Sequence, residues 1–488
     1  MENSLPREMQ DEAKSSSRPR VIILGAGPAG TGAAYQLMRT GIAQVTVLEQ
    51  RDTVGGNAGS FEVGGMRVDY GSHRLHPACD PEILKDLSNV LGGDLLLRPR
   101  HGRIRLRGHW IHFPLKPLDL ALHLPKSFTF GVATDMVRKL LPQGGSKSET
   151  FATVLERSLG RTICRDFYFP YARKLWGMPP EQLSVTQARR RVSANSLPKM
   201  IRKIASSIPG LKPPSAGKFY YPRRGYGEIS ERLYEGACKG GAEFLFSAKI
   251  TGIEREGQKV TAVRYEQNGS EHVIKAGLIW STLPLTVLAN CMRPEAPPEV
   301  RAAATKIDFR GMILIYLVLE QQQFTEYDAH YFPEESIPIS RLSEPKNYTG
   351  TSEPTNRTVL CAELPADPNS REWTMSDEEL GQALCSWLGA AGLPVKAAVL
   401  EVKTRRLRQA YPSYRAGYEE WFGIVDRWLE EVDGLLTFGR QGLFAHDNTH
   451  HALYMAYSAV NCLRRDGSFD WDKWREYRKV FETHVVED

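Results

Sequence analysis

A glycine-rich run near the start of the chain sets the chemical theme. Gly25-Ala26-Gly27-Pro28-Ala29-Gly30 is a GxGxxG run that directly follows the apolar stretch Val21–Leu24. Glu49 ends the next apolar stretch, Val45–Leu48, nineteen residues past Gly30. This spacing suits a dinucleotide: Gly25 permits the tight turn, Gly27 lets backbone approach a pyrophosphate, and Gly30 lets helix and strand pack closely. The Glu49 carboxylate would take ribose hydroxyls and repel a 2′-phosphate. Downstream come a second glycine pair, Gly55-Gly56-Asn57, and the returning segment Arg67–His73, which carries Gly71 and His73. Late in the chain, the turn Gly439–His451 gathers His446, Asp447, His450 and His451. A histidine there is suited to take a proton while a hydride leaves. Asp447, Asn448 and Thr449 are helix-capping types. A metal site is not expected, because the three histidines lack one-face spacing.

The elements that must hold these groups follow from periodicity. Strand, glycine turn, helix (Thr31–Arg39) and strand form an opening βαβ unit. Lys249–Tyr265 alternates as a strand pair; Ile279–Leu283, Met312–Leu319 and Leu435–Phe438 read as further strands; Glu419–Glu431 and Ala452–Leu463 read as helices. Helices are also predicted at Ser148–Leu159 and Ile163–Leu175, in Pro-punctuated, basic material. Gly144–Ser148 and Pro209–Gly217 read as loops. The class is α/β with an α+β substrate part.

Length and composition bound the rest. The 488 residues are 41% hydrophobic, enough for two to four domains. A net charge of +6 from 63 basic and 57 acidic residues suggests an anionic small molecule more than a nucleic-acid track. Seven scattered cysteines without a CxxC argue against a disulfide framework or a zinc site. A cytoplasmic protein without a membrane span is expected, with surface attachment left open, and an oligomer is compatible with the sequence.

The run VLEQRDTVGGNAG together with DYGSHRLHP resembles the flavin amine oxidase, protoporphyrinogen oxidase and phytoene desaturase superfamily, with particular similarity to eukaryotic-type UDP-galactopyranose mutases. IRLRGHWIHFPL, FYFPYARKLWGMPPEQLSVTQARRRV, FYYPRRGYGEI, YFPEESIPISRLSEPKNY and FGRQGLF follow that pattern in order. The resemblance implies a Rossmann-like FAD-binding domain with a mixed sheet, from 20–80, 215–290 and 432–470. It also implies a discontinuous substrate domain with an antiparallel sheet and a helical insert, from 81–214 and 291–431. Residues 1–19 read as a disordered tail and 471–488 as a C-terminal helix or tail.

FAD would be held non-covalently by Gly25, Gly27, Gly30, Glu49, Gly55, Gly56, Asn57, Gly71, Gly439 and His451. NADPH is a compatible reductant, although no second GxGxxG is present. His73, His446, His450 and Asp447 form the catalytic set. Arg191, Arg341, Tyr226 and Trp176 form the substrate set, the two arginines matching ones that bind a substrate diphosphate. At 446 the mutases carry a tyrosine, so this chain departs from them there. The leading expectation is an FAD-dependent oxidoreductase that takes a hydride from a small polar substrate, phosphorylated or like a nucleotide sugar. The alternatives are a mutase-type isomerase working through reduced FAD and a non-catalytic flavoprotein.

Overall fold

A computed structural model describes residues 18–139, 149–191 and 217–486. The expected tail up to residue 17, the loop at 144–148, most of the loop at 209–217 and the Arg191 side chain lie outside the described residues.

The nucleotide-type unit forms as its sequence dictates. Strand β1 (Arg20–Leu24) leads into helix α1 (Pro28–Thr40), then β2 (Gln44–Leu48), β3 (Glu243–Leu245), β4 (Leu278–Ser281) and β5 (Leu435–Thr437). The strand order is β5-β4-β1-β2-β3, and every pairing in this sheet is parallel. Central strands of such a sheet are covered on both faces, which is why Val21–Leu24 is wholly apolar. Pro28 at the first turn and Gly41 in the left-handed region after the last turn bound α1. The closing helix α2 (Thr449–Cys462) packs on α1, with Leu453 and Ala456 against Gly32.

The expected antiparallel pairings sit apart from this sheet. Lys249–Glu256, Lys259–Gln267 and Ser270–Lys275 form a meander, joined in parallel by Met292–Arg293. A larger seven-stranded sheet is built on Phe309–Leu319, which pairs antiparallel with both Thr358–Ala366 and Val399–Pro412. It extends through Arg341–Ser343 and Ala329–Tyr331 to Gly102–Leu106 and His109–Phe113. Helices between Pro117 and Arg191 flank it. Lys174 fastens this insert: its ammonium donates to the carbonyl oxygens of Phe332, Glu334 (2.6 Å) and Ile339 (3.2 Å).

The hydrophobic cores do not follow the expected boundaries at 81 and 291. Pro81–Leu91 contributes Ile83, Leu87 and Leu91 to the core beneath α1. Pro298–Ala304 and Tyr418–Glu430 share a core with Ile22 and Leu24 of β1. Both segments are amphipathic helices whose apolar faces need a sheet to cover, and the parallel sheet is the one they meet. The C-terminal helix Trp471–Glu482 seals the first core with Trp474 and Phe481.

Candidate active site

A groove of about 460 Å³ runs between the parallel sheet and the seven-stranded sheet, within the size range of small-molecule sites. It starts where β1 and β4 end. Their carboxyl ends lie side by side, and the chain leaves β1 for a strand on one side and β4 on the other, which is where open α/β sheets bind ligands.

Glycines build the first part. Gly25 has φ +97°, and a Cβ there would lie 2.5 Å from Thr282 Oγ1. A Cβ on Gly30 would lie 1.9 Å from the Gly25 carbonyl oxygen, so this glycine, which does not line the groove, is required by packing. Gly56 faces Gly27 so closely that its Cβ would sit 3.2 Å from the Gly27 Cα. Gly55 stays outside the groove and donates its N–H to the Ala26 carbonyl at 2.8 Å, locking the two turns together. Gly439, with φ +79°, lets its turn approach Ala29. No side chain caps the N-terminus of α1, so its first amides face the groove between the two glycine turns.

Glu49 lines this end, and its carboxylate accepts from the N–H groups of Ala26 (2.7 Å) and Arg51 (2.9 Å). A carboxylate with two oxygens keeps lone pairs for further donors such as ribose hydroxyls. Asn57 reaches across to the Gln409 carbonyl at 3.3 Å, and Gln441 Oε1, on the same wall, is buried without a partner. A cradle of close-set glycines, free helix amides, an acid and an unsatisfied amide oxygen fits the diphosphate and sugar of a dinucleotide.

Further along, Gly71 (φ +95°) and His73 line the groove. His73 Nε2 lies 2.9 Å from the Tyr70 carbonyl oxygen. A carbonyl only accepts, so Nε2 carries the proton and Nδ1 keeps its lone pair. Burial holds the His73 pKa below the ordinary histidine value, outweighing the pull of nearby Asp69, so the ring is neutral. Its ring stacks on Tyr226 at 5.2 Å. Tyr226 is anchored through its N–H to Asp69 Oδ1 at 2.8 Å.

Beyond His73 the walls become cationic. Arg341 makes three hydrogen bonds to the Glu363 carboxylate at 2.7 to 3.0 Å, and Glu363 also accepts from the Ser72 N–H at 2.7 Å. Arg74 donates to Tyr331 Oη at 2.7 Å and meets Asp328 at 3.3 Å. Arg100 lies over Phe113, whose ring is 5.3 Å from Tyr331. Three guanidiniums, those of Arg74, Arg100 and Arg341, therefore lie together on this part of the groove wall.

The third wall is the turn before α2. His446 is buried, 5.0 Å from Tyr411 and 6.2 Å from Trp176 between ring centroids. Asp447 is fully buried and accepts from Arg190 Nη1 (2.9 Å) and His484 Nδ1 (2.8 Å). Burial would raise its pKa; the His484 hydrogen bond and the Arg190 charge outweigh that and hold it below the ordinary carboxylate value.

Of the residues named from sequence, Gly25, Gly27, Glu49, Gly56, Asn57, Gly71, His73, Tyr226, Arg341, His446 and Asp447 line the groove. Gly30, Gly55 and Gly439 act in the packing of the turns, and His450, His451 and Trp176 lie off the groove. Thr449 and Ala452 are the residues of α2 that face the groove, and each helical step turns about 100°. His450 and His451 are thereby carried off the groove face. His450 lies 4.0 Å from His451, and burial lowers its pKa to about 3. His451 stacks on His484 at 4.1 Å, and its Nδ1 accepts from the Asn448 N–H. Trp176 packs into the helical insert's own core beside Phe151, leaving Tyr171 and Leu175 to face the groove. Arg191 closes the helix Val185–Arg191, and its neighbour Arg190 takes the ion pair with Asp447.

Sequence reasoning passed over Glu363, Arg74, Arg100 and the wall from Arg406 to Ala410. Glu363 had a signal: it is the one charge in the nine-residue, entirely buried strand Thr358–Ala366.

The parallel sheet with its paired glycine turns, backed by a large antiparallel sheet, defines a dinucleotide-binding oxidoreductase architecture. The model for flavin containing amine oxidoreductase matches residues 28–429, and the chain belongs to that family. It is 27% identical over 271 residues to a 1-hydroxycarotenoid 3,4-desaturase of Flavobacterium sp. (strain P99-3), covering 51% of this chain and 54% of the relative. It is 25% identical over 308 residues to a phytoene dehydrogenase of Streptomyces griseus, covering 59% of each. The chain thus spans little more than half the length of these relatives. A reduced UDP-galactopyranose mutase superposes with a TM-score of 0.77 at 21% identity, over 91% of this chain and 93% of that one. A putative protoporphyrinogen oxidase from Exiguobacterium sp. 255-15 gives 0.68 at 19% identity, over 91% and 98%. At these identities the superpositions speak for the fold.

Proposed function

We propose that the protein is an FAD-dependent oxidoreductase that takes a hydride from a small, polar, anionic substrate. The observation that carries this reading is the gathering of Arg74, Arg100 and Arg341 on the groove wall beyond His73. Guanidinium forks on that wall suit a carboxylate or phosphate better than a cationic amine.

Gly25, Gly27, Glu49, Gly56 and Asn57 would hold FAD, with Gly71 and His73 beside its ring. When bound, FAD supplies a ring that accepts or returns a hydride. The chain's residues do the rest: the arginines orient the substrate, the apolar side chains of Leu175 and Met312 limit water, and neutral His73 offers a lone pair for the substrate proton. Ionised Asp447 fixes the turn that carries His446 rather than serving as a base, since His484 and Arg190 hold its pKa below the ordinary carboxylate value.

A second reading, a nucleotide-sugar isomerase working through reduced FAD, draws support from the likeness to the mutase fold and from Arg341 in the groove. One experiment separates the two. Oxidised, FAD-loaded protein is mixed anaerobically with a panel of hydroxy acids, sugar phosphates and nucleotide sugars. Bleaching of the flavin band in a single turnover supports the oxidoreductase. Furanose product formed only by dithionite-reduced protein supports the isomerase and overturns the first reading.

A further inference from the structure

Large apolar side chains are exposed at eleven described positions, and five of them fall within twenty residues: Leu118, Leu122, Phe130, Met136 and Val137. Phe130 is 76% exposed, Leu118 72% and Leu122 71%. They lie on the helices Pro117–His123 and Lys126–Lys139. The orientation is set by what the other faces bury. On the longer helix, Asp135 accepts the Thr162 N–H at 2.6 Å, and Gly131 packs so that a Cβ would come within 2.7 Å of Thr162 Oγ1. Phe130 and Val137, seven residues apart, share a helix face that leaves this contact, and both are exposed. On the shorter helix Leu120 packs inward with Leu124, so Leu118 and Leu122, four apart, point out.

The charges on this surface have one sign. Lys116, Lys126 and Arg138 are exposed at the helix ends. The two acids of the segment are withdrawn: Asp119 accepts the His112 N–H at 2.7 Å, and Asp135 is buried on Thr162. Isolated exposed apolar residues need no explanation, but five on two successive helices with cations at their ends mark an interaction surface. Two short helices with apolar residues outward and lysine or arginine at their edges match the way a protein lies on a lipid headgroup layer. A second copy of the chain is disfavoured, because a symmetric contact would set these cations against their own counterparts.

We infer that the face formed by Pro117–His123 and Lys126–Lys139 docks the protein on an anionic membrane surface. No helix among the described residues is long and apolar enough to cross a membrane, so attachment is peripheral.

The test is flotation of the FAD-loaded protein with vesicles of phosphatidylcholine and phosphatidylglycerol, and with phosphatidylcholine alone. The wild type should float with the mixed vesicles and lose binding in pure phosphatidylcholine or high salt. Leu122→Asp/Phe130→Asp should reduce binding about tenfold or more, and Lys126→Glu/Arg138→Glu should do so by a similar factor. Both variants sit on exposed positions and should keep the flavin spectrum and melting temperature. The inference fails if the wild type does not bind mixed vesicles, or if binding is unchanged in both variants. It fails equally if the wild type is a dimer that Leu122→Asp/Phe130→Asp turns into monomer, since the face would then be a self-interface.

Discussion

At the glycine end of the groove, shape comes from backbone. Gly25, Gly27 and Gly56 bring two turns within van der Waals distance, and no side chain intrudes. At the arginine end, shape comes from paired side chains: Arg341 on Glu363, and Arg74 on Tyr331 and Asp328. A backbone cradle tolerates no added atom, whereas a side-chain lattice tolerates exchange at a graded cost. The first binds a constant group and the second can be retuned to a new substrate while the cofactor stays.

The sharpest break between the ends should come from Gly30→Ala. Its Cβ would meet the Gly25 carbonyl oxygen at 1.9 Å, so the turn must open. Flavin content, read from the visible-to-ultraviolet absorbance ratio, should fall more than about tenfold, against the roughly 1 kcal/mol change glycine exchange brings in open positions. Glu363→Gln acts at the other end. It leaves the largely buried Arg341 without its carboxylate, which typically costs about 3–5 kcal/mol. The melting temperature should drop by several degrees, and adding Arg341→Met should recover part of it.

Arg100→Ala should sharpen the comparison rather than break it. The KM for an anionic substrate should rise about tenfold, in line with the loss of one charge-assisted hydrogen bond, with flavin content unchanged. The histidines behind α2 predict an acid response. Burial lowers His450 from 6.5 to about 3 and His451 from 6.5 to about 4. Between those values and 6.5 the unfolded chain binds protons that the folded one refuses, so stability falls as pH drops through that window. A series of melting curves should show this fall, and His450→Gln should flatten it. The smallest effect belongs to Trp176→Phe, which should leave KM within about twofold, because the ring serves the insert's core and not the groove.

The legible part of the sequence was the part where backbone does the work. GxGxxG, Glu49 and Gly55-Gly56 are local patterns whose meaning depends on neighbours within thirty residues, and Gly25, Gly27, Glu49 and Gly56 all line the groove. The long apolar run at Met312–Leu319 likewise covers all but the first three residues of the strand Phe309–Leu319. What stayed hidden depended on distant partners. Glu363 gains its meaning from pairing with Arg341 across adjacent strands. Helix phase decided against His450 and His451: capping residues show where a helix begins, but one residue of uncertainty at that point rotates every later side chain by about 100°. Trp176 lies in the insert's core, and an aromatic side chain in a helix announces burial without naming which core receives it.

The strand order carries a consequence for how the chain is made. β1 sits at the middle of its sheet, between β2, its immediate successor, and β4, which contains Leu278–Ser281. At roughly 5–20 residues per second, a ribosome needs on the order of ten to fifty seconds to deliver that second neighbour. Throughout that interval Val21–Leu24 has one open edge in the nascent polypeptide, and β5 reaches the sheet later still. The nascent chain should therefore depend on trigger-type chaperones most strongly before residue 281 emerges, and slowing translation ahead of that point should raise the yield lost to aggregation.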